Sequence, residues 1–391
     1  MSPRSRLLVA LASTALVGYV ALGALLGRVI GDTSYGQLAV FNEVVRLVVE
    51  AYVEPVNLDR AMAGARLGLG DALDGDSGYL DAEEFRLYQQ PPRDDDADIG
   101  AVLTRRFAFL MVVSSRPGSP AERAGLRPGD IVKSIDGRHT RPLVAATGQR
   151  LLRGAPGSVV KLAILRAGAD PFDVSAVRER LVPAAPRGRM LEDGTGYLKV
   201  AEFPVRVGED VRAQVEALRQ SGAKGLVLDL RAAAWGAPEE GARVAEVFLK
   251  GGVVAKLAGT KVPEQVLSAD PARTAWDGPL AVLVNAGSAG PAEIVAAAML
   301  EAGRAPVVGE HTFGRAGVQK AVPLHDGGLV LTVAKYSTPK GEAIHGRGVA
   351  PSVPVAAADE DAEAEEGEAR DLILEKALEV LRDGGTGKAA A

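Results

Sequence analysis

The chain has 391 residues, a formal net charge of −5 and 47% hydrophobic residues, and it contains no cysteine. This length allows two or three domains, and a mildly acidic chain without a basic block argues against a nucleic-acid partner. The lack of cysteine excludes disulfides, thiolate metal sites and a cysteine nucleophile. No residue spacing indicates another metal site or a cofactor.

Residues 1–30 are typical of a membrane-targeting segment. Arg4 and Arg6 precede the uncharged residues 7–26, and Arg28 follows them. About 20 apolar residues cross a bilayer as a helix, whereas the core of a secretory signal has roughly 7–15. We therefore favour an uncleaved signal anchor over a cleaved signal peptide. The basic residues before the run predict a body outside the cytoplasm. In a bacterium, this means an inner-membrane protein facing the periplasm, or a periplasmic protein if the signal is cleaved.

Residues 31–92 are predicted to be helical. Apolar residues recur at helical spacing over 38–49, and Pro55 ends this helix. A second helix is predicted over about 58–73. Asp81 is a plausible N-cap for a short third helix.

Residues 93–182 are predicted to form a second domain, after a Pro/Asp-rich linker. The segment SPAERAGLRPGDIVKSIDG, residues 119–137, combines a short helix, a tight turn, a strand and an Asp-Gly hairpin signal. This pattern resembles a PDZ domain. Such domains bind peptide C-termini by adding the peptide as a strand and capturing its carboxylate on backbone N–H groups.

The PDZ resemblance implies a particular peptide-binding site. The carboxylate-binding loop corresponds to Ile99, Gly100, Ala101 and Val102, and the groove helix lies near 143–152. Gly100 allows the backbone to approach a ligand closely. The alternative is a PDZ fold that serves only for packing.

Residues 183–355 alternate between apolar runs and amphipathic stretches, which predicts a β/α core. Predicted strands lie at 196–203, 225–231, 280–287, 307–309 and 329–333, and predicted helices lie at 207–220 and 292–302. The remainder, residues 356–391, contains the acidic run DEDAEAEEGEAR, a short helix and a tail. We interpret the acidic run as a linker.

The most informative motif is GSAGPAEIVAAAMLEAGRAPVVGEHTFGRAGVQ, residues 287–319. It resembles the active-site segment of the C-terminal processing peptidases, a serine–lysine family with a PDZ domain. That family carries Gly-Ser-Ala-Ser-Ala-Ser-Glu-Ile, whose middle serine is the nucleophile, and Phe-Gly-Lys-Gly-x-x-Gln, whose lysine is the general base. The resemblance implies an α/β and α+β multidomain protein: a crotonase-like β/α spiral core, an inserted PDZ domain and an N-terminal helical region.

The sequence departs from the family at the reacting positions. Gly290 occupies the nucleophile position and has no hydroxyl, and Arg315 occupies the lysine position. A guanidinium stays charged, with a pKa above about 12, so it cannot act as a base. Pro291 lacks the N–H that is an oxyanion donor in the family, and Trp235 stands where the family has a glycine of the same hole. Because these changes affect one mechanism, we predict that no catalytic site is intact.

Gln319 and Ser288 complete the predicted site, and Trp235 has two interpretations. Gln319 keeps its family spacing from Arg315, and we expect it to hydrogen-bond Arg315 or water. Ser288 is a weak surrogate nucleophile, because a loop serine bonded to backbone is the simpler interpretation. Trp235 either fills the emptied cleft, which needs fewer assumptions, or lines a remodelled peptide groove.

Three functions are compatible with the sequence. The leading one is a pseudopeptidase that binds protein C-termini or unfolded segments through its PDZ groove, alone, as a homo-oligomer or beside an active relative. The second is an active serine endopeptidase that cleaves near C-termini. The third is a structural assembly protein.

Overall fold

The computed structural model describes residues 34–91, 96–356 and 370–383, and the chain divides between residues 66 and 67 into two compact units. The predicted signal anchor, residues 1–30, lies outside the described residues. Within the described ranges, no helix combines the length and the apolarity needed to cross a bilayer.

The helices lie close to where periodicity and chain punctuation predict them, except for Pro238–Glu246, which the sequence did not predict. Asp81 caps the third helix as predicted, because its carboxylate accepts a hydrogen bond from Glu84 N at 2.8 Å. The helices are α1 Ser34–Ala51, α2 Leu58–Asp71, α3 Ala82–Gln89, α4 Pro120–Arg123, α5 Ala145–Leu151, α6 Val207–Gln220, α7 Pro238–Glu246, α8 Pro291–Glu301 and α9 Leu372–Arg382.

In the first unit, α1 leaves much of its apolar surface exposed. Leu38 and Val44, which carried the helical periodicity, are 56% and 51% exposed. The periodicity therefore predicted the helix correctly, but the described part of this unit does not bury its apolar residues.

The strands form a six-stranded mixed sheet, a five-stranded antiparallel sheet, a PDZ sheet and a two-stranded ribbon. They are β1 Gly78–Asp81, β2 Ala101–Arg106, β3 Phe109–Ser115, β4 Ile131–Ile135, β5 Arg138–His139, β6 Val159–Leu165, β7 Phe172–Val177, β8 Arg187–Met190, β9 Thr195–Lys199, β10 Glu202–Phe203, β11 Gly225–Asp229, β12 Trp235–Gly236, β13 Val253–Gly259, β14 Val262–Ser268, β15 Leu280–Val284, β16 Val307–Gly309, β17 Gly317–Leu324, β18 Gly327–Ser337 and β19 Val353–Pro354.

The PDZ sheet has the strand order β2-β3-β4-β6-β7, with β5 paired to β4. Asp136 and Gly137 turn between β4 and β5 with φ of 49° and 79°, as the Asp-Gly signal predicted. Its core contains Ile99, Leu110 and Ile164, each at most 1% exposed. The strand β2 lies at one edge of this sheet. The groove helix α5 lies beside that edge, since Gln149 of α5 bonds to β2.

The largest core surrounds a six-stranded sheet with the order β19-β16-β15-β11-β9-β8. The strands from β19 to β9 pair in parallel, and only β8 is antiparallel to its neighbour. Every residue of β11 and β15 is buried, since α9 packs on one face and the main core lies on the other. The mixed α/β fold with a PDZ domain is confirmed. The crotonase-like description of its core stays a prediction.

Within the second unit, another sheet joins residues 78–81 to this core. The strand β1, which the sequence did not predict, pairs with β18, and β18 also pairs with β13 and β17. In the two-stranded ribbon, β10 pairs in parallel with β12.

The parallel sheet determines where a functional site can form. The strands β11, β15 and β16 run in the same direction, so the loops that follow them leave from one edge of the sheet. Ligand sites of α/β sheets lie at this carboxyl edge. The loops after β11 and β15 contain Trp235 and Gly290, and the segment after β16 leads to Arg315.

Candidate functional site

The nucleophile position lies at the turn where the chain enters α8. Gly290 is the N-cap of this helix, with φ 60° and ψ −112°. A Cβ added here meets only the Arg315 carbonyl oxygen, at 3.4 Å. Space for a Cβ therefore remains, although a non-glycine residue is strained at this φ.

The loop entering α8 has no backbone donor left for an oxyanion. The N–H groups of residues 287–290 each donate within the fold, and Pro291 has no N–H. The bonds run from Gly287 N to Asn285 Oδ1 at 3.1 Å, from Ser288 N to Asn285 O at 2.9 Å, from Ala289 N to Ala233 O at 3.0 Å and from Gly290 N to Glu293 Oε2 at 2.9 Å. This arrangement offers no pair of free donors beside Gly290, as an oxyanion hole requires.

Ser288 is a structural residue in this loop. It is fully buried, its hydroxyl donates to Leu230 O at 2.9 Å, and the same oxygen accepts from Asn285 N at 3.0 Å. The hydroxyl proton is therefore committed to a carbonyl, and the side chain ties the loop to the end of β11. This geometry agrees with the simpler of the two interpretations of Ser288.

The Arg315 side chain binds Asp76. Its Nε donates to Asp76 Oδ2 at 2.8 Å, and Thr104 Oγ1 donates to Asp76 Oδ1 at 3.1 Å. The Asp76 side chain is 5% exposed and that of Arg315 is 31% exposed. The former base position thus forms a partly buried ion pair between the core and the segment before β1.

Glu293 connects the two degenerate catalytic segments. Its Oε2 accepts from Gly290 N and from Arg315 N, at 2.9 and 2.8 Å, and its Oε1 accepts from Thr312 Oγ1 and Gly314 N. Complete burial raises the pKa of Glu293, and the four donors act in the opposite direction. The carboxylate holds both segments in the spacing that the sequence motif preserves.

Gln319 does not contact Arg315. Its Nε2 donates to Thr332 Oγ1 at 3.3 Å, across the β17–β18 pair. Of the two partners expected for Gln319, Arg315 or water, the Arg315 bond does not form, since Nε2 binds Thr332 and Arg315 binds Asp76. A residue that orients a lysine in the family serves here as a cross-strand contact.

Trp235 lies between the PDZ domain and the loop entering α8. It is half-buried and packs against a small apolar cluster that includes Val102 and Ala289. The Arg116 guanidinium stands 5.9 Å from the centre of the Trp235 ring. This packing favours the interpretation that the indole fills the emptied cleft.

Charged residues hold the start of the loop after β11, which leads to Trp235 at the second oxyanion position of the family. Buried Asp229 accepts from Lys199 Nζ at 3.1 Å and from Tyr197 OH, and Arg231 bridges Asp229 to Asp371, the N-cap of α9. Burial raises the pKa of Asp229, but Lys199, Arg231 and Tyr197 outweigh burial and lower it to about 2. Burial lowers the pKa of Lys199. The network anchors the loop after β11 to the C-terminal helix.

The predicted carboxylate-binding loop is buried in this conformation. Ile99 is 0% exposed, and Ala101 and Val102 are also buried. Gly100 has φ 79°, as a close-approach glycine requires, and its N–H donates to Asp98 Oδ1 at 2.8 Å. A carboxylate of this chain therefore occupies a donor that the PDZ resemblance assigns to a peptide carboxylate.

The outer edge of β2, where a peptide strand would add, is also occupied. Gln149 on α5 accepts from Leu103 N at 3.1 Å and donates to Ala101 O at 2.9 Å. Further along, Arg105 N donates to Gly75 O at 3.0 Å. These groups point outward because alternate residues of an edge strand face away from its partner. The side-chain amide of Gln149 therefore forms the two bonds that a peptide backbone would form.

Sequence reasoning missed Asp76, Glu293 and Gln149 as functional positions. The sequence signals were weak, because an acidic turn residue, a glutamate in the first turn of a helix and a glutamine on a short helix all have ordinary local explanations. Their roles depend on partners far away in the sequence, which only the fold identifies.

Comparisons with known proteins agree with this architecture. Residues 194–355 match the family model Peptidase family S41, and residues 111–166 match the PDZ domain model. The chain is 31% identical over 326 residues to the carboxy-terminal processing protease CtpA of Bacillus subtilis, covering 83% of this chain and 69% of that protein. It is 31% identical over 331 residues to a carboxy-terminal-processing protease of Bartonella bacilliformis, covering 83% and 76%. The solved photosystem II D1 C-terminal processing protease superposes with a TM-score of 0.68 at 25% identity, covering 81% of this chain and 92% of that one.

Proposed function

The chain belongs to the C-terminal processing peptidases of peptidase family S41, and we propose that it is a non-catalytic member that binds protein C-termini or unfolded segments through its PDZ domain. One observation carries the non-catalytic part. The loop from Gly287 to Pro291 has neither an accessible hydroxyl nor a free backbone donor. A serine peptidase needs both at this turn.

The base position supports the same conclusion. Arg315 remains protonated at any ordinary pH, and its Nε is already bound to Asp76. The loss of one oxyanion donor alone typically lowers kcat by about a hundredfold or more. Here nucleophile, base and donor are altered together, so the remaining rate falls below any useful peptidase activity.

The alternative of an active endopeptidase depends on Ser288, and its surroundings argue against it. The Ser288 hydroxyl is fully buried and bonded to Leu230 O. Attack on a substrate requires this bond to break and the loop to open. Among the described residues, no amine or imidazole that could act as a base is bonded to the Ser288 hydroxyl.

The peptide-binding part of the proposal rests on the shape of the PDZ domain. An edge strand, a facing helix and a loop with a positive-φ glycine are the parts that PDZ recognition needs, and β2, α5 and Gly100 supply them. Ligand entry requires Asp98 to release Gly100 N and Gln149 to release β2. The groove is therefore closed at rest. On binding, the ligand's C-terminal carboxylate replaces Asp98 at Gly100 N, and the ligand's backbone replaces the Gln149 amide at β2.

The closed groove also favours a second candidate function. If Gln149 and Gly75 hold the β2 edge permanently, the PDZ domain only packs against the core, and the protein is an assembly component. A homo-oligomer, or a complex with an active relative, fits this role. We further propose that the predicted N-terminal anchor holds the protein at the bacterial inner membrane with its body in the periplasm.

The test is a binding experiment with the full chain in detergent. Fluorescence anisotropy compares a labelled peptide that has a free C-terminus with the same peptide amidated at its C-terminus. The adaptor function predicts binding of the free acid and at least about tenfold weaker binding of the amide, because a charge-assisted contact is lost. Binding of neither peptide favours the assembly function. Covalent labelling by a serine-directed probe, lost in Ser288→Ala, would instead support the active enzyme.

A further inference from the structure

A second cavity lies beside Arg315, at the end of β2 opposite Gly100. It adjoins the β2 edge at Gly75 and Arg105 but does not include the carboxylate-binding loop. It has a volume of about 280 Å³ and lies between the segment before β1, the end of β2 and the core. We call it the Arg315 cavity. The binding function proposed for the PDZ groove does not involve it.

The lining of the Arg315 cavity is charged, with an excess of cations. The charged residues are Arg105, Arg106, Arg315, Lys335, Asp74 and Asp76. Burial raises the pKa of Asp74, but hydrogen bonds from His345, Thr332 and Ser77 outweigh it and hold the pKa below its usual range, so Asp74 is ionised. Asp71, outside the lining, pairs with Arg105. The four arginine and lysine side chains and the three aspartates of this group therefore leave one net positive charge.

Two residues of this lining also keep a buried nitrogen without a partner. Arg105 Nε and His345 Nδ1 have no hydrogen-bond partner among the described residues, and the two side chains are 7% and 8% exposed. Buried polar nitrogens are normally bonded in folded proteins. Because Arg105 Nε–H is an unsatisfied donor, it indicates that a hydrogen-bond acceptor belongs there, whereas His345 Nδ1 does not distinguish a donor from an acceptor.

Arg315 and Arg106 provide further donors. Arg315 uses only Nε in its bond to Asp76, so its Nη groups carry no hydrogen bond to the described residues. Arg106 is exposed and stands 5.9 Å from the centre of the Phe313 ring. Guanidinium groups match the planar geometry of a carboxylate and can bind both of its oxygens.

We propose that the Arg315 cavity binds one carboxylate group of a polypeptide. The single net positive charge suits a monoanion better than a phosphate dianion, because the second charge of phosphate faces Asp74 and Asp76. The replacement of a lysine by Arg315 thus converts the base position into part of an anion site. The carboxylate belongs either to a chain terminus or to an Asp or Glu side chain.

The test follows the His345 imidazole by NMR in the full chain, labelled at histidine and solubilised in detergent. The chain has four histidines, and a His345→Asn variant assigns the signal. The ligands are N-acetyl-Ala-Ala as free acid, the same dipeptide amidated, N-acetyl-aspartate amide and inorganic phosphate. These ligands also reach the carboxylate-binding loop at Gly100, so the reporter is His345, which lines the Arg315 cavity and lies outside that loop.

We expect one or both carboxylic acids to shift the His345 signal saturably, and the amidated dipeptide to have no effect. A response to the free acid identifies a terminal carboxylate, and a response to the aspartate derivative identifies a side-chain one. Arg106→Met with Lys335→Met should weaken this binding about tenfold or more. The control Arg187→Met removes an exposed cation outside the cavity and should leave binding unchanged.

Three results with the wild-type chain and one with the double variant overturn the proposal. They are a His345 signal that ignores both acids, an equal response to the amidated dipeptide, and phosphate binding tighter than either acid. Unchanged affinity in the Arg106→Met/Lys335→Met variant also contradicts it. Failure of the PDZ groove to bind longer peptides has no bearing on these outcomes, so the two proposals fail separately.

Discussion

Replacing Gln149 by methionine should open the PDZ groove. Methionine has nearly the same length as glutamine but cannot form the bonds to Leu103 N and Ala101 O, at 3.1 and 2.9 Å. Each hydrogen bond contributes about 0.5–1.5 kcal/mol net. A peptide entering the wild-type groove must displace both, so Gln149→Met removes a cost of about 1–3 kcal/mol. The expected gain in peptide affinity is therefore about 5-fold to 150-fold.

The assay is fluorescence anisotropy with a labelled peptide that has a free C-terminus. Arg150→Met is the matched control, because Arg150 lies on the same helix and makes no hydrogen bond to β2 in the described residues. Urea unfolding should show that Gln149→Met loses stability by a similar amount, since two backbone groups become unpaired. Equal affinity in wild type and Gln149→Met, with the variant folded, would refute the closed-groove reasoning and favour the assembly function.

Three other variants test the site. Arg315→Met should destabilise the fold by about 2–4 kcal/mol in urea unfolding, since it leaves buried Asp76 without its ion-pair partner. The loss should be smaller in an Asp76→Asn background. If the stability losses of the two single variants simply add in the double variant, the ion pair is contradicted. Glu293→Gln should lower the free energy of unfolding by about 2–4 kcal/mol, because an amide nitrogen then faces N–H donors. Wild-type stability in this variant would contradict the proposal that Glu293 holds the two segments together. Asp229 has a folded-state pKa of about 2, below its usual 3.8, so its contribution is complete above pH about 4 and is lost as pH falls towards 2. Asp229→Asn should therefore flatten stability over that range, and an unchanged acid profile contradicts the assignment.

The sequence predicted most helices and the central strands because their signals are local. The run from Val207 to Gln220 has one apolar stripe, and β11 and β15 are short apolar runs of the length that a doubly covered strand needs. The Asp136-Gly137 hairpin follows from turn chemistry alone. By contrast, β1 has four residues and exists because β18 offers it a partner about 250 residues away.

The candidate site shows the same division. Residue identity alone showed that Gly290 cannot attack, that Arg315 cannot be a base and that Pro291 cannot donate. It did not show that Arg315 turns to Asp76 or that Gln319 binds Thr332, since both bonds join segments that come together only in the fold. The closure of the PDZ groove was equally hidden, because the Gln149 bonds span 46 and 48 residues.

The central claim is that the turn before α8 cannot catalyse amide hydrolysis. The direct measurement is mass spectrometry of an unfolded polypeptide incubated with the purified full chain, in parallel with its Ser288→Ala variant. We predict no cleavage products above a protein-free control in either sample. Products that form with the wild-type chain and disappear with Ser288→Ala would contradict the account.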